Sequence, residues 1–291
     1  MRLEDENESA NIEDRRGNGR GRGRGRGIGL GTIVIVLAVS YFTGIDPQTL
    51  LSLAGNPQNS QAPTQQPTNP SNQASDPQAA LKSEMAKVLY KTEVVWSEVF
   101  RSINSQYEKP VLVLYRGQTP TACGLGQAAM GPFYCPGDQK VYLDMAFFEE
   151  LKSRFGAGGD FARAYVIAHE IGHHVQNLLG VSRRTAALRA QMSETEYNKV
   201  SVRVELQADC LAGLWAQEAN RTKAFLDPQD IDEALHAANA IGDDMLQKQS
   251  RGIVVPDSFT HGTSAQRVRW FKRGFEATSL QSCDTFSTGS Q

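Results

Sequence analysis

The sequence predicts an α+β fold in which helices dominate, with a small sheet early in the folded domain and one transmembrane helix before it. Three observations lead to this prediction: long segments with apolar residues at helical spacing, two short apolar segments of strand length, and one uninterrupted apolar segment near the N-terminus. The chain has 291 residues, of which 40% are hydrophobic and 21% charged, as in ordinary globular proteins. Its net charge of −2 argues against general attraction to nucleic acid, so no nucleic-acid partner is expected.

The first 27 residues are expected to be a disordered cytoplasmic segment. Residues 1–14 are rich in acids, and residues 15–27 read RRGNGRGRGRGRG, with six arginines and no acid. Because this tract has no apolar side chain to bury, we expect no stable fold in it. A basic tract can bind nucleic acid, but arginines beside an apolar span more often set its orientation or contact anionic lipid.

Residues 28–45, IGLGTIVIVLAVSYFTGI, predict a single transmembrane helix. At about 1.5 Å per residue the segment reaches about 27 Å, close to the ~30 Å thickness of a hydrocarbon core. A core helix would show a polar face, and a signal peptide would have a shorter apolar region and a better cleavage site. The arginines before the segment, against Asp46 after it, predict a cytoplasmic N-terminus, with the folded domain across the membrane.

The polar segment 46–79 is rich in Pro, Gln, Asn and Ser and predicts a solvated linker, so that the folded domain covers residues 80–291. All of the cysteines fall in this domain, and their even number across a membrane favours disulfides. We predict the pair Cys123–Cys135, which closes a short loop, and by elimination the pair Cys210–Cys283. A thiolate metal site is the alternative, but no CxxC spacing supports it.

The elements of the domain follow in order along the chain. The predicted elements are a helix over residues 81–104, strands over 111–117 and 139–145, a helix carrying AYVIAHEIGHHVQ (164–176), a long helix after residue 193, one after residue 228, and a last one over 264–276. Asp160 is a candidate cap for the helix over 164–176. Ser193 and Glu196 form a capping box, and Asp227 precedes Pro228 as cap and first-turn residue.

The segment HEIGH places two histidines on one face of a helix. His169 and His173 are four residues apart, so both imidazoles can bind one metal ion at about 2.0 Å. Glu170 lies beside the pair, where it can reach a water molecule next to the metal, as in the HExxH pattern of metal hydrolases. The alternative is an ordinary helix with a salt bridge between Glu170 and His174. The apolar residues around the histidines favour the metal, because buried polar groups need partners.

A second helix is predicted to complete the site. Glu205 and Asp209 are four residues apart on a helix that is otherwise apolar, and two acids there are costly unless they bind something. Glu205 is therefore the predicted third metal ligand, and Asp209 the acceptor for the free ring N–H of a ligand histidine. Solvent exposure of both acids is the alternative.

The remaining polar candidates have weaker support. His261 is a candidate hydrogen-bond donor to the oxyanion, although a capping or structural role stays open. Arg267 is predicted to orient Glu205. His174 and His236 are interpreted as structural.

Three motifs in this order, HEIGHH, ELQADCLAG and SFTHGTSAQRVRWF, resemble the membrane-anchored neutral zinc metallopeptidases of bacteria. The resemblance extends over the whole chain and includes FYCPGDQKVYLD. More distantly, HExxH followed by ExxxD resembles the glutamate-ligand zinc peptidases. The resemblance implies a zincin-like domain in which His169, His173 and Glu205 hold one Zn2+ ion. It also implies Glu170 as the base and a place in the bacterial inner membrane, with the domain periplasmic or extracellular.

Together these residues predict a zinc peptidase that acts on an extended or unfolded polypeptide. The metal would polarise the scissile carbonyl, and Glu170 would move a proton from water to the leaving amine. The segment VYLDM (141–145) is predicted to be an edge strand that pairs with the substrate. The alternative is a zinc-stabilised binding or chaperone-like domain without hydrolysis, which would not need Glu170.

Overall fold

Helices form most of the structure, a computed structural model that describes residues 1–19 and 76–287. The described helices are α1 (Ala79–Ser102), α2 (Ala146–Phe155), α3 (Asp160–Leu178), α4 (Val181–Arg189), α5 (Glu194–Thr222), α6 (Asp230–Ala240), α7 (Asp243–Arg251) and α8 (Ser264–Phe275). The central helix α3 packs against α1, α4, α5 and α6, and α8 packs along α5. The predicted α+β class with dominant helices is confirmed, because a small sheet accompanies these helices.

The sheet has four strands in the spatial order β1, β2, β6, β5. The strands are β1 (Ile12–Asp14), β2 (Val111–Tyr115), β5 (Phe133–Cys135) and β6 (Lys140–Asp144), while β3 (Gln118–Thr121) and β4 (Gly124–Gln127) form a separate hairpin. β1, β2 and β6 run parallel, and β5 is antiparallel to β6. The inner strands β2 and β6 are apolar because both faces of the sheet are covered: Leu112 and Val141 on one face and Val113 on the other have no exposed surface.

The prediction that VYLDM is an edge strand is wrong. β6 is paired on both sides: Tyr142 lies opposite Val113 of β2, and Val141 lies opposite Tyr134 of β5. The short strand β5, which directly precedes β6 in the chain, pairs with the edge of β6 that was predicted to be free. Among the described strands, β5 rather than β6 therefore forms this edge of the sheet.

The expectation of disorder in residues 1–27 is wrong for residues 1–19. These residues belong to the same compact unit as the domain that begins at Pro77. β1 pairs with β2 in the register Ile12↔Leu112, and Leu3 packs beside Ile12 against the core. Residues 20–27 and the predicted span 28–45 lie outside the described residues, as does the linker up to residue 75.

The helix starts agree only in part with the predicted caps. The capping box of Ser193 and Glu196 is confirmed at the start of α5. Asp160 is the first residue of α3 rather than its cap, and its carboxylate accepts a hydrogen bond from the ammonium group of Met1 at 3.1 Å. α6 begins at Asp230, whose carboxylate accepts the backbone N–H of Asp227 at 2.7 Å, so Asp227 is not the cap.

Both predicted disulfides are present. Cys123 pairs with Cys135, which ties the β3–β4 hairpin to β5, and Cys210 pairs with Cys283, which ties α5 to the C-terminal segment.

Across residues 1–19 and 76–287, none of the helices has the length and apolar character needed to cross a membrane.

Candidate metal centre

The HEIGH helix α3 and helix α5 touch through a glycine. A Cβ atom placed on Gly172 would lie 2.9 Å from the carbonyl oxygen of Ala208 and 3.0 Å from its Cα, so a larger residue would push the helices apart. This close approach explains a glycine inside a helix, where it otherwise costs about 1 kcal/mol. It brings the histidines of α3 next to the acids of α5.

Three predicted ligands meet at this contact. His169 Nε2 lies 3.2 Å from Glu205 Oε2, and His173 Nε2 lies 3.4 Å from Glu205 Oε1. One ligand atom from each of the three residues lies within 4.8 Å of the others. His169 is buried, whereas His173 and Glu205 are each 17% exposed, so the cluster lies at the wall of a cleft rather than deep in the core.

The donor atoms of this cluster fit a zinc ion. Asp209 Oδ1 lies 2.8 Å from His169 Nδ1, and Gln176 Oε1 lies 2.9 Å from His173 Nδ1. If each Nδ1 donates its proton to its acceptor, each Nε2 presents a lone pair toward the Glu205 carboxylate. Three electron-pair donors that face one point need a cation between them. Two imidazoles and one carboxylate are a known ligand set of catalytic Zn2+, which keeps a fourth position open.

The pKa shifts of His169 and Glu205 also indicate that positive charge is favoured between these side chains. Burial lowers the pKa of His169, but the Asp209 carboxylate and the hydrogen bond to Glu205 outweigh it and raise the pKa to about 9. Burial raises the pKa of Glu205, but the adjacent His173 and His169 hold it well below its usual range. A cation at this point therefore satisfies both the imidazoles and the carboxylate.

A buried charge network supports His169 from behind. Asp209 accepts hydrogen bonds from Tyr165 Oη at 2.6 Å and from Arg267 Nε at 2.9 Å. Arg267 also donates to the Tyr165 hydroxyl at 3.2 Å, and all three side chains are almost fully buried. The prediction that Arg267 orients Glu205 is wrong, since its hydrogen bonds to a carboxylate go to Asp209. This network holds Asp209 ionised and fixes the ring of His169.

Glu170 lines the same cleft as the cluster. Within the described part of the chain, no other residue makes a hydrogen bond to its carboxylate. Burial raises its pKa, and the positive charge of His169 and His173 opposes that rise. A carboxylate with a raised pKa that is free of partners suits a group that takes up and releases a proton.

His261 also lines the cleft, from the loop between α7 and α8. Asp243 accepts the backbone N–H of His261 at 2.6 Å and faces its Nδ1 at 3.2 Å. The hydrogen bond from the ring N–H to the Asp243 carboxylate raises the pKa of His261, while burial opposes the rise. The ring's Nε2 has no partner among the described residues.

The two histidines interpreted as structural lie outside the metal cluster. His174 is fully buried between the Tyr134 hydroxyl at 3.0 Å and the Glu108 carbonyl at 2.6 Å, and burial lowers its pKa. His236 is exposed on α6.

Three residues at the site were not predicted from the sequence. Tyr165 lies four residues before His169, and Gln176 three after His173, so helical spacing was the signal that could have found both. Asp243 could not be found in this way, because it is 18 residues before His261 and the two meet only through a loop.

The cluster opens into a cleft of about 770 Å³. One part of its lining is apolar and comes from α2, α3 and the stretch before β5; it includes Met130, Phe147, Phe155 and Val166. Another part comes from α4 and α5 and carries hydroxyl groups; it includes Ser182, Thr185, Tyr197 and Ser201. A cleft of this size accepts several residues of an extended chain.

An HExxH segment that meets the acids of a second helix beside a cleft is typical of the zinc metallopeptidases as a class. The chain belongs to the family described as "Putative neutral zinc metallopeptidase", whose model matches residues 1–286.

The chain is 44% identical over 294 residues to the uncharacterized protein YpfJ of Escherichia coli (strain K12), covering 98% of this chain and 99% of that protein. It is 45% identical over 199 residues to the uncharacterized proteins Mb2605 of Mycobacterium bovis and Rv2575 of Mycobacterium tuberculosis, covering 65% of this chain and 66% of each relative. No solved structure matches the chain. Family membership supports the predicted class, a zinc peptidase.

Proposed function

We propose that the protein is a zinc-dependent peptidase of the bacterial inner membrane that hydrolyses peptide bonds in extended or unfolded polypeptides. The observation that carries the proposal is the convergence of His169, His173 and Glu205 on one point beside the free carboxylate of Glu170. These three residues would hold one zinc ion. Attachment to the membrane through residues 28–45 is part of the proposal and is supported by their apolar composition.

The reaction divides between the metal and the protein side chains. Zinc, when bound, supplies a Lewis acid that polarises the scissile carbonyl. Glu170 accepts a proton from the attacking water, whose oxygen bonds to the carbonyl carbon. As the C–N bond breaks, Glu170 delivers that proton to the leaving nitrogen. Burial raises the pKa of Glu170, which makes its carboxylate a stronger proton acceptor than an exposed glutamate.

The negative charge that develops on the carbonyl oxygen needs a donor, and His261 is the candidate on the cleft wall. Its Nδ1 faces Asp243, so a protonated ring has Nε2–H left to donate. The Asp243 hydrogen bond favours this protonated form by raising the pKa of His261.

The substrate would bind along β5 in place of the strand that the sequence suggested. Among the residues that the structure describes, β5 pairs with β6 alone, and Phe133 and Tyr134 of this strand line the cleft. An extended peptide can add its backbone to such a free edge, while the cleft receives its side chains. This mode explains a preference for unfolded chains, because a folded segment cannot present a continuous strand.

Two substitutions test the proposal on the full chain in detergent. Glu170→Gln should keep bound zinc and lose peptidase activity on an unfolded protein by about 10²–10⁴-fold, because the proton acceptor is gone. Glu205→Ala should lose zinc itself. Metal content is measured by elemental analysis and proteolysis by release of new amino termini.

The exposed Glu149 on α2 provides the matched control, since Glu149→Gln removes a carboxylate outside the cleft and should change neither zinc content nor activity. Hydrolysis at the wild-type rate by zinc-loaded Glu170→Gln would rule out the proposed mechanism. Stable zinc binding by wild type without hydrolysis of any unfolded protein would instead favour the binding or chaperone-like domain.

A further inference from the structure

Segment 1–19 and the metallopeptidase domain form one folded unit, and this bears on how the chain meets the membrane. We propose that residues 1–19 and the domain lie in the same compartment, so that the chain between them begins and ends on one side of the membrane. This differs from the single crossing that residues 28–45 predict, with the domain on the far side.

The first support is the sheet. β1 lies parallel to β2, with Glu13 opposite Val113. The Leu112 N–H donates to the Asn11 carbonyl at 2.9 Å, and the Arg15 N–H donates to the Leu114 carbonyl at 2.7 Å. β2 is a buried apolar strand, and without β1 its backbone groups on that side would lack partners.

The second support is a buried carboxylate of the domain. Glu93 on α1 is only 2% exposed. Its Oε1 accepts hydrogen bonds from Ser9 Oγ at 2.6 Å and from Asn11 Nδ2 at 2.7 Å, both in segment 1–19. The domain itself contributes Lys109, at 3.1 Å from Oε2. A carboxylate is buried at such a position only when its partners are present, so the domain is built to receive the segment.

The third support is a buried ion pair. Lys91 of α1 is 5% exposed, and its ammonium lies 2.7 Å from the carboxylate of Glu6. Lys223 at the end of α5 approaches the same carboxylate at 3.2 Å. Lysine is rarely buried without a paired acid. Its paired acid here comes from segment 1–19.

These contacts cannot form across a membrane. A single crossing between the segment and the domain would place a hydrocarbon core of about 30 Å between groups that are in hydrogen-bond contact. A second copy could not supply the segment either, because copies inserted with one orientation all have their N-terminal segments on the same side. The two parts therefore share a compartment wherever the folded unit forms.

Labelling of single cysteines tests the proposal in intact cells expressing the full chain. Every natural cysteine is in a disulfide in this structure, and the unsubstituted chain, labelled in parallel, gives the background that natural thiols would contribute if a reducing compartment opened these disulfides. Glu4→Cys reports on the segment and Gln191→Cys on the domain, and both positions are exposed. A membrane-impermeant maleimide, added before and after opening of the cytoplasmic membrane, should label both from the same side. Labelling from opposite sides would overturn the proposal.

A cross-link tests contact directly. The Ser83 hydroxyl donates a hydrogen bond to Glu8, so Glu8→Cys with Ser83→Cys should be joined by a short membrane-permeant bis-maleimide in intact membranes. A protease site inserted in the linker 46–79 then shows whether the two fragments stay together. Glu8→Cys with Gln191→Cys is the matched control pair, and its two fragments should separate on a denaturing gel, where only a covalent cross-link holds them together. Joining that occurs only after detergent is added would overturn the proposal.

The cross-link also separates this inference from the proposed function. Peptidase activity does not enter either measurement. Recovery of the full chain in the soluble fraction would contradict membrane attachment, while a Glu8–Ser83 cross-link would still show that the segment and the domain share a compartment.

Discussion

Among single residues, His261 shows most directly how a neighbour sets the charge of a cleft side chain. The Asp243 carboxylate accepts hydrogen bonds of 2.6–3.0 Å from the backbone N–H groups of Thr260, His261 and Gly262. These bonds fix the loop around the imidazole. The hydrogen bond that the ring N–H donates to Asp243 raises the pKa of His261 against the effect of burial. The protonated ring, which is the stronger donor, therefore persists to higher pH than in an isolated histidine.

Replacing Asp243 should shift the pH dependence of the reaction. A group with a raised pKa is protonated below that pKa and loses its proton as pH rises through it, so activity that needs protonated His261 falls on the alkaline side. Asp243→Asn weakens the hydrogen bond that raises this pKa and should move the alkaline fall of kcat/KM to lower pH. The measurements are kcat/KM against pH and an NMR titration of the ring.

His261→Gln is the companion variant. It removes the donor and should lower kcat by about 10²–10³-fold if His261 stabilises the oxyanion. An alkaline fall that stays at the same pH in Asp243→Asn would show that Asp243 holds the loop without setting the titration of His261.

The sequence could place some of these residues because helical spacing is a local property. His169 with His173, and Glu205 with Asp209, repeat at four residues, so each pair shares a face in any helix. The partner of Arg267 was predicted wrongly, because spacing does not say which of two acids four residues apart faces α8. In the structure Arg267 binds Asp209. Tyr165 strengthens this pairing, because its hydroxyl donates a hydrogen bond to Asp209 and accepts one from Arg267.

At the scale of elements, glycines set the distances between the helices that carry the site. A Cβ atom at Gly274 of α8 would overlap the carbonyl oxygen of Cys210 on α5, and one at Gly213 of α5 would overlap that of Phe271 on α8. The contact at Gly172 between α3 and α5 is less tight. α5 is thus held between two helices at backbone contact, which fixes Glu205 relative to the histidines.

Alanine substitutions at Gly274 and Gly172 should affect the free energy of unfolding and the zinc affinity to different extents. Gly274→Ala forces α8 away from α5 and should lower the free energy of unfolding by about 1–3 kcal/mol or more. At Gly172 the gain in helix propensity of about 1 kcal/mol offsets part of the clash. Gly172→Ala should therefore cost less stability but weaken zinc binding, since it shifts α3 against α5. Urea unfolding and competition with a metal chelator measure the two effects.

Gly17→Ala is the matched control, because a Cβ there meets nothing within 4 Å. Equal effects of all three substitutions on stability and on zinc affinity would contradict this account of the helix contacts.

The apolar part of the cleft lining predicts a preference in the substrate. Phe147 and Phe155 of α2 are partly buried there, with Val166 of α3 beside the metal cluster. A bulky apolar side chain next to the scissile bond can fill this region, and one buried side chain of that kind contributes about 1.5–3 kcal/mol. Phe147→Ala should thus lower kcat/KM about tenfold or more for a peptide with such a residue. The matched peptide with alanine there should be much less affected, and an equal loss for both peptides would contradict the assignment.

The helices that the sequence predicted lie close to observed helices, but the one predicted after residue 228 is divided into α6 and α7, and α2 and α4 were not predicted. The order of the strands was not predicted either. A long amphipathic pattern determines a helix on its own, but a strand's neighbours depend on the rest of the chain. β5 has only the residues Phe133–Cys135, and β1 reads Ile-Glu-Asp, so neither shows an alternating pattern long enough to be recognised. Because β5 was missed, β6 was predicted to be an edge strand.

At the scale of the whole molecule, the amino-acid composition of the N-terminal segment led to a wrong prediction of disorder for residues 1–19. Its acids and arginines predicted a solvated chain, because charged residues rarely build a core. The structure instead pairs them with one another and with the domain: Glu13 lies 2.8 Å from both Arg15 and Lys140. The charge of Glu13 is therefore neutralised by ion pairs at the edge of the sheet, while the backbone of β1 forms hydrogen bonds with β2.

The ion pairs of Glu13 make docking of the segment dependent on pH. Hydrogen bonds from Arg15 and Lys140 lower the pKa of Glu13 from 4.5 to about 2, although burial opposes the shift. A carboxyl group with a lowered pKa contributes stability that is fully present above pH 4.5 and is lost as pH falls toward about 2. Because the side chain of Glu13 is 41% exposed, the contribution should be about 1 kcal/mol or less.

Glu13→Gln should consequently lower the free energy of unfolding of the full chain at pH 7 and have a smaller effect at pH 3, as measured by urea unfolding. The surface pair of Glu150 and Arg154 on α2 gives the control, because both side chains are mostly exposed and Glu150→Gln should have little effect at either pH. An equal loss in Glu13→Gln at both pH values would mean that its charge does not hold the segment. The hydrogen bonds of β1 and of Glu93 would then carry the docking, since neither depends on ionisation of Glu13.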